Sequence, residues 1–401
     1  LNQALDMIRR HNSSLVFVCE PGLTRAMMGI GRTAEEARTC DINGCYEYNV
    51  RAREVKTAPI YLNLLKPIEL VFHDGVDPVS GIKIGLHTGT QFTTFDDFYQ
   101  AYIRQLEHVL DDGLHCVDSF EPYLMEINPT PLFSATITHS LETAKDAFAN
   151  GSQYNNTILL HTGLATTVDA LMAVKQLVYE QHTVTLAEMK AALDANWNGY
   201  ALLRQKALRT PEKFGCHTPA SDRYAQAIAR FTSTKVNLRP NVRGGFYKAA
   251  MHSARTFITF GAQCGATPDG RLAGEEMSKN LSPTMGMDTR GVTALIESAI
   301  GVDSAQFPED YCLDVMLHPA TTQGTDGLTA MRALLTTYMR GNGVALHFNV
   351  FDPATLEDAQ QHPEKYRGLQ VRVCGWNVLF SNLCRKEQDA YILRARNITQ
   401  S

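Results

Sequence analysis

A chain of 401 residues, 44% hydrophobic and 20% charged, has ample material for a buried core, and its net charge of −5 leaves no footprint for nucleic acid. No apolar run is long enough to cross a membrane, and no secretory signal is read. Nine cysteines (19, 40, 45, 116, 216, 264, 312, 374 and 384) without a C-x-x-C pair argue against a zinc ribbon or a disulfide framework, so reduced thiols and a cytoplasmic location are expected.

The chain opens at Leu1 inside a helical pattern, Leu5-Asp6-Met7-Ile8-Arg9-Arg10, and a β-branched run follows over 14–20. A helical segment runs from Thr24 to Ile30. Thr33 with Glu36 three residues later has the spacing of a capping box, opening a short helix. That helix leads to Asp41-Ile42-Asn43-Gly44-Cys45-Tyr46-Glu47-Tyr48-Asn49. In an extended segment residues two apart point the same way, so the Cys45 thiol and Glu47 carboxylate would face one cavity. Taken alone, the pair reads as a buried cysteine beside a solvated glutamate. Arg51 and Arg53 are read as surface or helix-terminal, with anion binding as the alternative.

Glu54 to Phe72 has helical apolar spacing interrupted by Pro59 and Pro67, which predicts a broken or kinked helix. His73 to Thr90 is Gly-rich and loop-like, and Phe95 to Leu114 has a clear 3.6-residue period. A turn at Asn128-Pro129-Thr130-Pro131 precedes a helix over Ser140 to Ala149. An apolar run then begins at Tyr154, followed by an amphipathic helix from Val168 to Glu180 and helices over 186–195 and 199–209. Arg239 to Phe260 alternates small and apolar residues as a strand would. Thr267-Pro268-Asp269-Gly270-Arg271 is a tight turn; its glycines would suit a phosphate loop, but no Walker lysine follows. A strand at Leu313 to Pro319, a helix at Thr325 to Arg340 and a strand at Val344 to Val350 predict a parallel sheet covered by helices, an α/β fold.

The end of the chain carries Val371-Arg372-Val373-Cys374-Gly375-Trp376-Asn377, which reads as a strand, a Gly turn and a return, ahead of a helical pattern from Glu387 to Arg396. No internal repeat or low-complexity stretch is present, and a soft boundary falls near Asp352, dividing the chain into 1–351 and 352–401.

Read with Asn349-Val350, Leu356 to Gln360, His362-Pro363-Glu364-Lys365-Tyr366 and Arg367-Gly368-Leu369, the segment around Gly375 closely resembles the glycyl radical domain of the pyruvate formate-lyase-like enzymes. Gly44-Cys45-Tyr46-Glu47 is similar to the Gly-Cys-Val-Glu of the dehydratase and lyase branches, with Tyr46 in place of the usual Val. Thr267 to Glu275 resembles the family's TPDGR loop. Lys213-Phe214-Gly215 resembles another family segment, in which Cys216 replaces an Asn and receives no catalytic role. The resemblance implies part of a ten-stranded α/β barrel, its N-terminal half absent, with finger loops meeting at the centre. Residues 1–351 would be the barrel part and 352–401 the glycyl radical domain.

It further implies that Gly375 stores a radical, Cys45 forms the thiyl and Glu47 is the base. No bound cofactor is implied, but a radical-SAM activating enzyme is, together with a small-molecule substrate, a separate N-terminal polypeptide and a homodimer at full length. Glycine suits a stored radical because a planar Cα needs no Cβ in the way, and shielding such a centre predicts a buried loop tip. The expected reaction is radical elimination, such as dehydration of a small diol. The alternatives are a radical C–C lyase (a decarboxylase or a formate acetyltransferase-like enzyme), a non-catalytic remnant and a spare-part protein. Pyruvate formate-lyase itself uses two adjacent cysteines, whereas here Gly44 and Tyr46 flank Cys45.

Overall fold

The computed structural model describes residues 1–10 and 14–400. Among them are ten strands: β1 (Phe17–Val18), β2 (Asp41–Asn43), β3 (Glu47–Asn49), β4 (Glu54–Asn63), β5 (Tyr154–Thr162), β6 (Tyr247–Met251), β7 (Asp310–Leu317), β8 (Ala345–Val350), β9 (Gln370–Val373) and β10 (Trp376–Leu379). Six form one sheet in the order β1-β8-β7-β6-β5-β4, parallel from β4 to β8, with β1 antiparallel on the β8 edge. Helices fill each crossover, among them Phe95–Phe120, Pro219–Val236, Gly291–Gly301 and Gly324–Arg340. This alternation is what parallel pairing requires, since each strand must return to the same end of the sheet. The sheet is open, with β1 and β4 at its edges.

The segment Glu54 to Phe72 is not the kinked helix expected from its spacing. It is strand β4 followed by a helix over Lys66–Phe72. Pro59 has no N–H to give a ladder, and it falls where the β4–β5 register shifts, between Thr57 and Ile60 on an edge strand. Pro67 sits in the first turn of the helix, where no intrahelical donor is needed. The expected amphipathic helix near 168–180 begins earlier, at Leu164, and is buried on every side through Val174 because it lies between the sheet and outer helices. The helix expected over 140–149 stops at Thr143, where Ala144 turns left-handed at φ 55°. The long strand expected over 239–260 is only Tyr247–Met251, followed by a helix over Thr256–Ala262. Elsewhere the Thr33–Glu36 capping box is present as expected.

One apolar core lies under the main sheet, and a second gathers Phe351, Leu356, Ala359, Val371, Phe380, Tyr391 and Ile392 around Phe257. The Pro-Asp-Gly turn is a structural staple: the buried Arg271 guanidinium donates to the carbonyls of Gly265, Leu272 and Glu275. On the face of the sheet away from that core, fully buried Lys248 pairs with both Glu54 and Glu309.

Candidate active site

Two small hairpins stand apart from the main sheet. In the first, β2 and β3 pair Asn43 with Glu47 around the three-residue loop Gly44-Cys45-Tyr46. Cys45 therefore lies in a turn, not in the extended segment expected from the sequence, and its relation to Glu47 has another cause. Glu47 Oε2 folds back to accept the backbone N–H groups of Cys45 and Tyr46, which fixes carboxylate and thiol side by side. Gly44 permits this, because at φ 60° a Cβ there would lie 2.5 Å from that oxygen.

In the second hairpin, β9 and β10 pair Val373 with Trp376, leaving a two-residue turn of Cys374 (φ 41°) and Gly375 (φ 100°). Positive φ at both positions matches the twist of tight hairpins and demands a glycine or a strained residue. The two tips meet. A β-carbon built on buried Gly375 would lie 2.1 Å from Cys45 Cβ and 2.6 Å from Cys45 Cα. Only a residue without a side chain can sit there. Thus Cys45 and Glu47 share one place with Gly375 from the far end of the chain, and Gly375 lies at a buried tip.

The sheet supplies groups the sequence did not single out. His252 follows β6 at its carboxyl end, the end of a parallel sheet where sites gather. Its Nδ1 lies 2.7 Å from Asp310 Oδ2 and 3.9 Å from Glu47 Oε1, and its Nε2 lies 3.2 Å from the Cys374 carbonyl oxygen. Cys45 Sγ, a Glu47 oxygen and a His252 nitrogen all fall within 4.8 Å of one another. A metal ion could bridge that spacing, but both His252 nitrogens are already engaged. Burial disfavours the charged imidazole, yet Asp310, Cys45 and Glu47 outweigh it and raise its pKa well above the ordinary value. Burial also pushes the Asp310 carboxyl up, to about 6, with the His252 imidazole opposing. Tyr61 on β4 faces the same space, its pKa raised by burial and by the charges at Glu47 and Cys45, with His252 opposing.

Tyr46 anchors the first hairpin. Its hydroxyl donates to Asp314 Oδ1 at 3.0 Å, and its ring lies under the Arg372 guanidinium, 5.3 Å from Cζ to centroid. Asp314 also accepts from Asn280 (3.0 Å) and pairs with Lys279 and His347. Despite burial, these partners hold its carboxyl far below the carboxylate range. Arg51 and Arg53 form surface pairs with Asp41 and Glu36, outside the site. Cys216 is buried against the Met287 carbonyl. A cavity of about 490 Å³ opens between segment 278–288 and the helix Arg385–Gln400; it is lined by Lys279, Asp314 and Asn349 but not by Cys45 or Gly375.

Comparison with known proteins fits this geometry. Residues 1–261 match the family model described as "Pyruvate formate lyase-like", and residues 277–381 match "Glycine radical". The chain is 32% identical to trans-4-hydroxy-L-proline dehydratase of Clostridioides difficile, covering 98% of this chain and 50% of that protein. It is 28% identical to indoleacetate decarboxylase of Tractidigestivibacter scatoligenes, covering 91% and 44%. A solved structure concerned with 1,2-propanediol dehydration in Roseburia inulinivorans superposes with a TM-score of 0.92 at 31% identity, covering 98% of this chain and 50% of the other. The chain spans about half the length of the curated relatives it matches. With a glycine tip seated on a cysteine tip and these matches over nearly its whole length, the chain belongs to the pyruvate formate lyase-like family of glycyl radical enzymes.

Proposed function

We propose that the chain carries the radical half of a glycyl radical eliminase, a dehydratase acting on a small diol-type substrate. The observation that carries this reading is the seating of Gly375 directly on Cys45, with Glu47 alongside. Gly375 stores the radical and takes a hydrogen atom from the Cys45 thiol. The thiyl then takes a hydrogen from a substrate carbon, and Glu47 accepts the proton of the hydroxyl on that carbon. The ketyl so formed expels the neighbouring hydroxyl, which leaves with a proton as water. The product radical reclaims its hydrogen from Cys45.

No bound cofactor enters this scheme. A radical-SAM enzyme installs the radical, and a separate or continuous N-terminal polypeptide supplies the rest of the pocket beside the open edge at β4. The complete enzyme is a cytoplasmic homodimer, its radical domain 352–401 folded around the second apolar core. Decarboxylation of an arylacetate is the second reading, favoured by the likeness to indoleacetate decarboxylase.

Anaerobic activation should give an EPR doublet that collapses when the Gly375 Cα hydrogen is replaced by deuterium. Cys45→Ala should keep the doublet and abolish turnover. Glu47→Gln should cost roughly 10²–10⁴-fold, the range for losing a general base. A screen of diols, amino alcohols, sulfonates and arylacetates separates the two readings. Formate and acetyl-CoA from pyruvate, at a rate indifferent to Glu47→Gln, would overturn the eliminase reading.

A further inference from the structure

His252 contacts both hairpins and the sheet. From Asp310 at the start of β7 it reaches across to the Cys374 carbonyl, while its ring also borders Cys45 and Glu47. A carbonyl oxygen can only accept, so Nε2 must carry a hydrogen, while Asp310 lies 2.7 Å from Nδ1 as an ion-pair partner. The accepting carbonyl belongs to the peptide bond whose nitrogen is Gly375's own. We propose that His252 is a positioning residue that latches the Gly375 turn onto Cys45 and so sets the distance for hydrogen transfer between them. The inference rests on the radical reading above and deepens it.

The physical need for a latch follows from the size of the hairpin. β9 and β10 contribute only four residues each, and although Val371 packs on the second apolar core, so short a two-stranded pairing is marginal by itself. Tyr391 holds one side by donating to the Arg372 carbonyl at 2.7 Å. At the turn itself, where the proposed chemistry sits, His252 Nε2 donates to the Cys374 carbonyl. The ring is 1% exposed, so the bond is made without competing water. Cys45 and Glu47 face it from the first hairpin, Tyr61 from β4 and Asp310 from β7. The Tyr46 ring meets it edge-on at 5.9 Å.

The step that the latch governs is balanced and needs no co-reactant. The Cys45 S–H bond breaks, the Gly375 Cα–H bond forms, and the unpaired electron moves to sulfur; the reverse restores it. The thiol exchanges its hydrogen with solvent, so in D₂O each round trip carries deuterium to Gly375 and collapses the EPR doublet. That exchange rate reports the hydrogen transfer without any substrate. His252→Leu removes the donor, whereas His252→Gln keeps an N–H near the Nε2 position.

In activated protein, His252→Leu should hold at least the wild-type spin count yet exchange about tenfold slower or more, the scale of a hydrogen bond from a charged donor. His252→Gln should fall between the two. Equal exchange rates in wild type and His252→Leu would overturn the latch, and so would a spin count that falls in step with exchange. The absence of a doublet in the wild type would instead overturn the radical reading and the latch with it. Should His252→Leu fail to fold, ¹⁵N-histidine NMR of the wild-type protein decides. A protonated Nε2 on His252 supports the latch, and a bare Nε2 overturns it.

Discussion

Gly375→Ala is the obvious variant for silencing the radical, and the structure predicts that it does more than that. Placing an L-residue at φ 100° costs about 1–2 kcal/mol on its own. The new β-carbon would then meet Cys45 Cβ at 2.1 Å. Carbon atoms settle at 3.5–4.0 Å, so the two tips must part by about 1.5 Å. Such a displacement carries the Cys374 carbonyl, now 3.2 Å from His252 Nε2, beyond hydrogen-bond reach, at a further cost of about 1–3 kcal/mol. The sum is on the order of 3 kcal/mol, or about a hundredfold in the population of the undocked hairpin. Hydrogen exchange read by mass spectrometry should show this as lost protection over 370–379, with the amides of β5 to β8 unchanged. Adding Cys45→Gly should recover only part of the loss, because Cys45 Cα would still lie 2.6 Å away. Unchanged protection over 370–379 in Gly375→Ala would refute the reasoning. For the same reason a silent EPR spectrum in this variant has two causes, and deuterated glycine is the cleaner probe.

Tyr46→Phe removes a buried hydroxyl donating to ionised Asp314 and should destabilise by about 1.5–3 kcal/mol, read as a lower denaturant midpoint. In combination with Asp314→Asn it should cost less than the sum, because the two changes delete one bond. Lys248→Met leaves Glu54 and Glu309 buried without their shared cation and should cost about 3–5 kcal/mol; adding Glu309→Gln should return part of it. His161 is fully buried, its nitrogens bonded to the Ala250 carbonyl and Thr232, and burial lowers its pKa to about 4. The unfolded chain binds a proton there below pH 6.5 that the folded chain refuses until about 4, so stability rises with pH across that window. About 3 kcal/mol should therefore be lost as pH falls from 6.5 to 4, and His161→Gln should flatten that limb of the stability profile.

What could be read from the sequence were the features whose physics is local. The Thr33–Glu36 cap needs only its own turn, and the strand, helix and strand from Asp310 to Val350 carry their periods on their surface. Glu54 to Phe72 was misread because Pro59 suggests a broken helix unless an edge strand with a register shift is there to receive it, and that depends on β5, nearly a hundred residues on. Cys45, Glu47 and Gly375 were found through short contiguous motifs. His252 and Asp310 carry no such motif. They become neighbours only because the stagger of the sheet sets the start of β7 level with the end of β6, pairing Asp310 with Ala250.

The same stagger explains how two marginal hairpins can hold reactive groups in place. Each tip packs on a small apolar cluster and gains further rigidity from the parallel sheet through a buried carboxylate. Asp314 holds the cysteine tip through the Tyr46 hydroxyl, and Asp310 holds the glycine tip through His252. Both carboxylates lie on β7, four residues apart and therefore on the same face of the strand. β7 thus contributes to the position of both tips, through Asp314 and Tyr46 for the cysteine tip and through Asp310 by way of His252, just after β6, for the glycine tip.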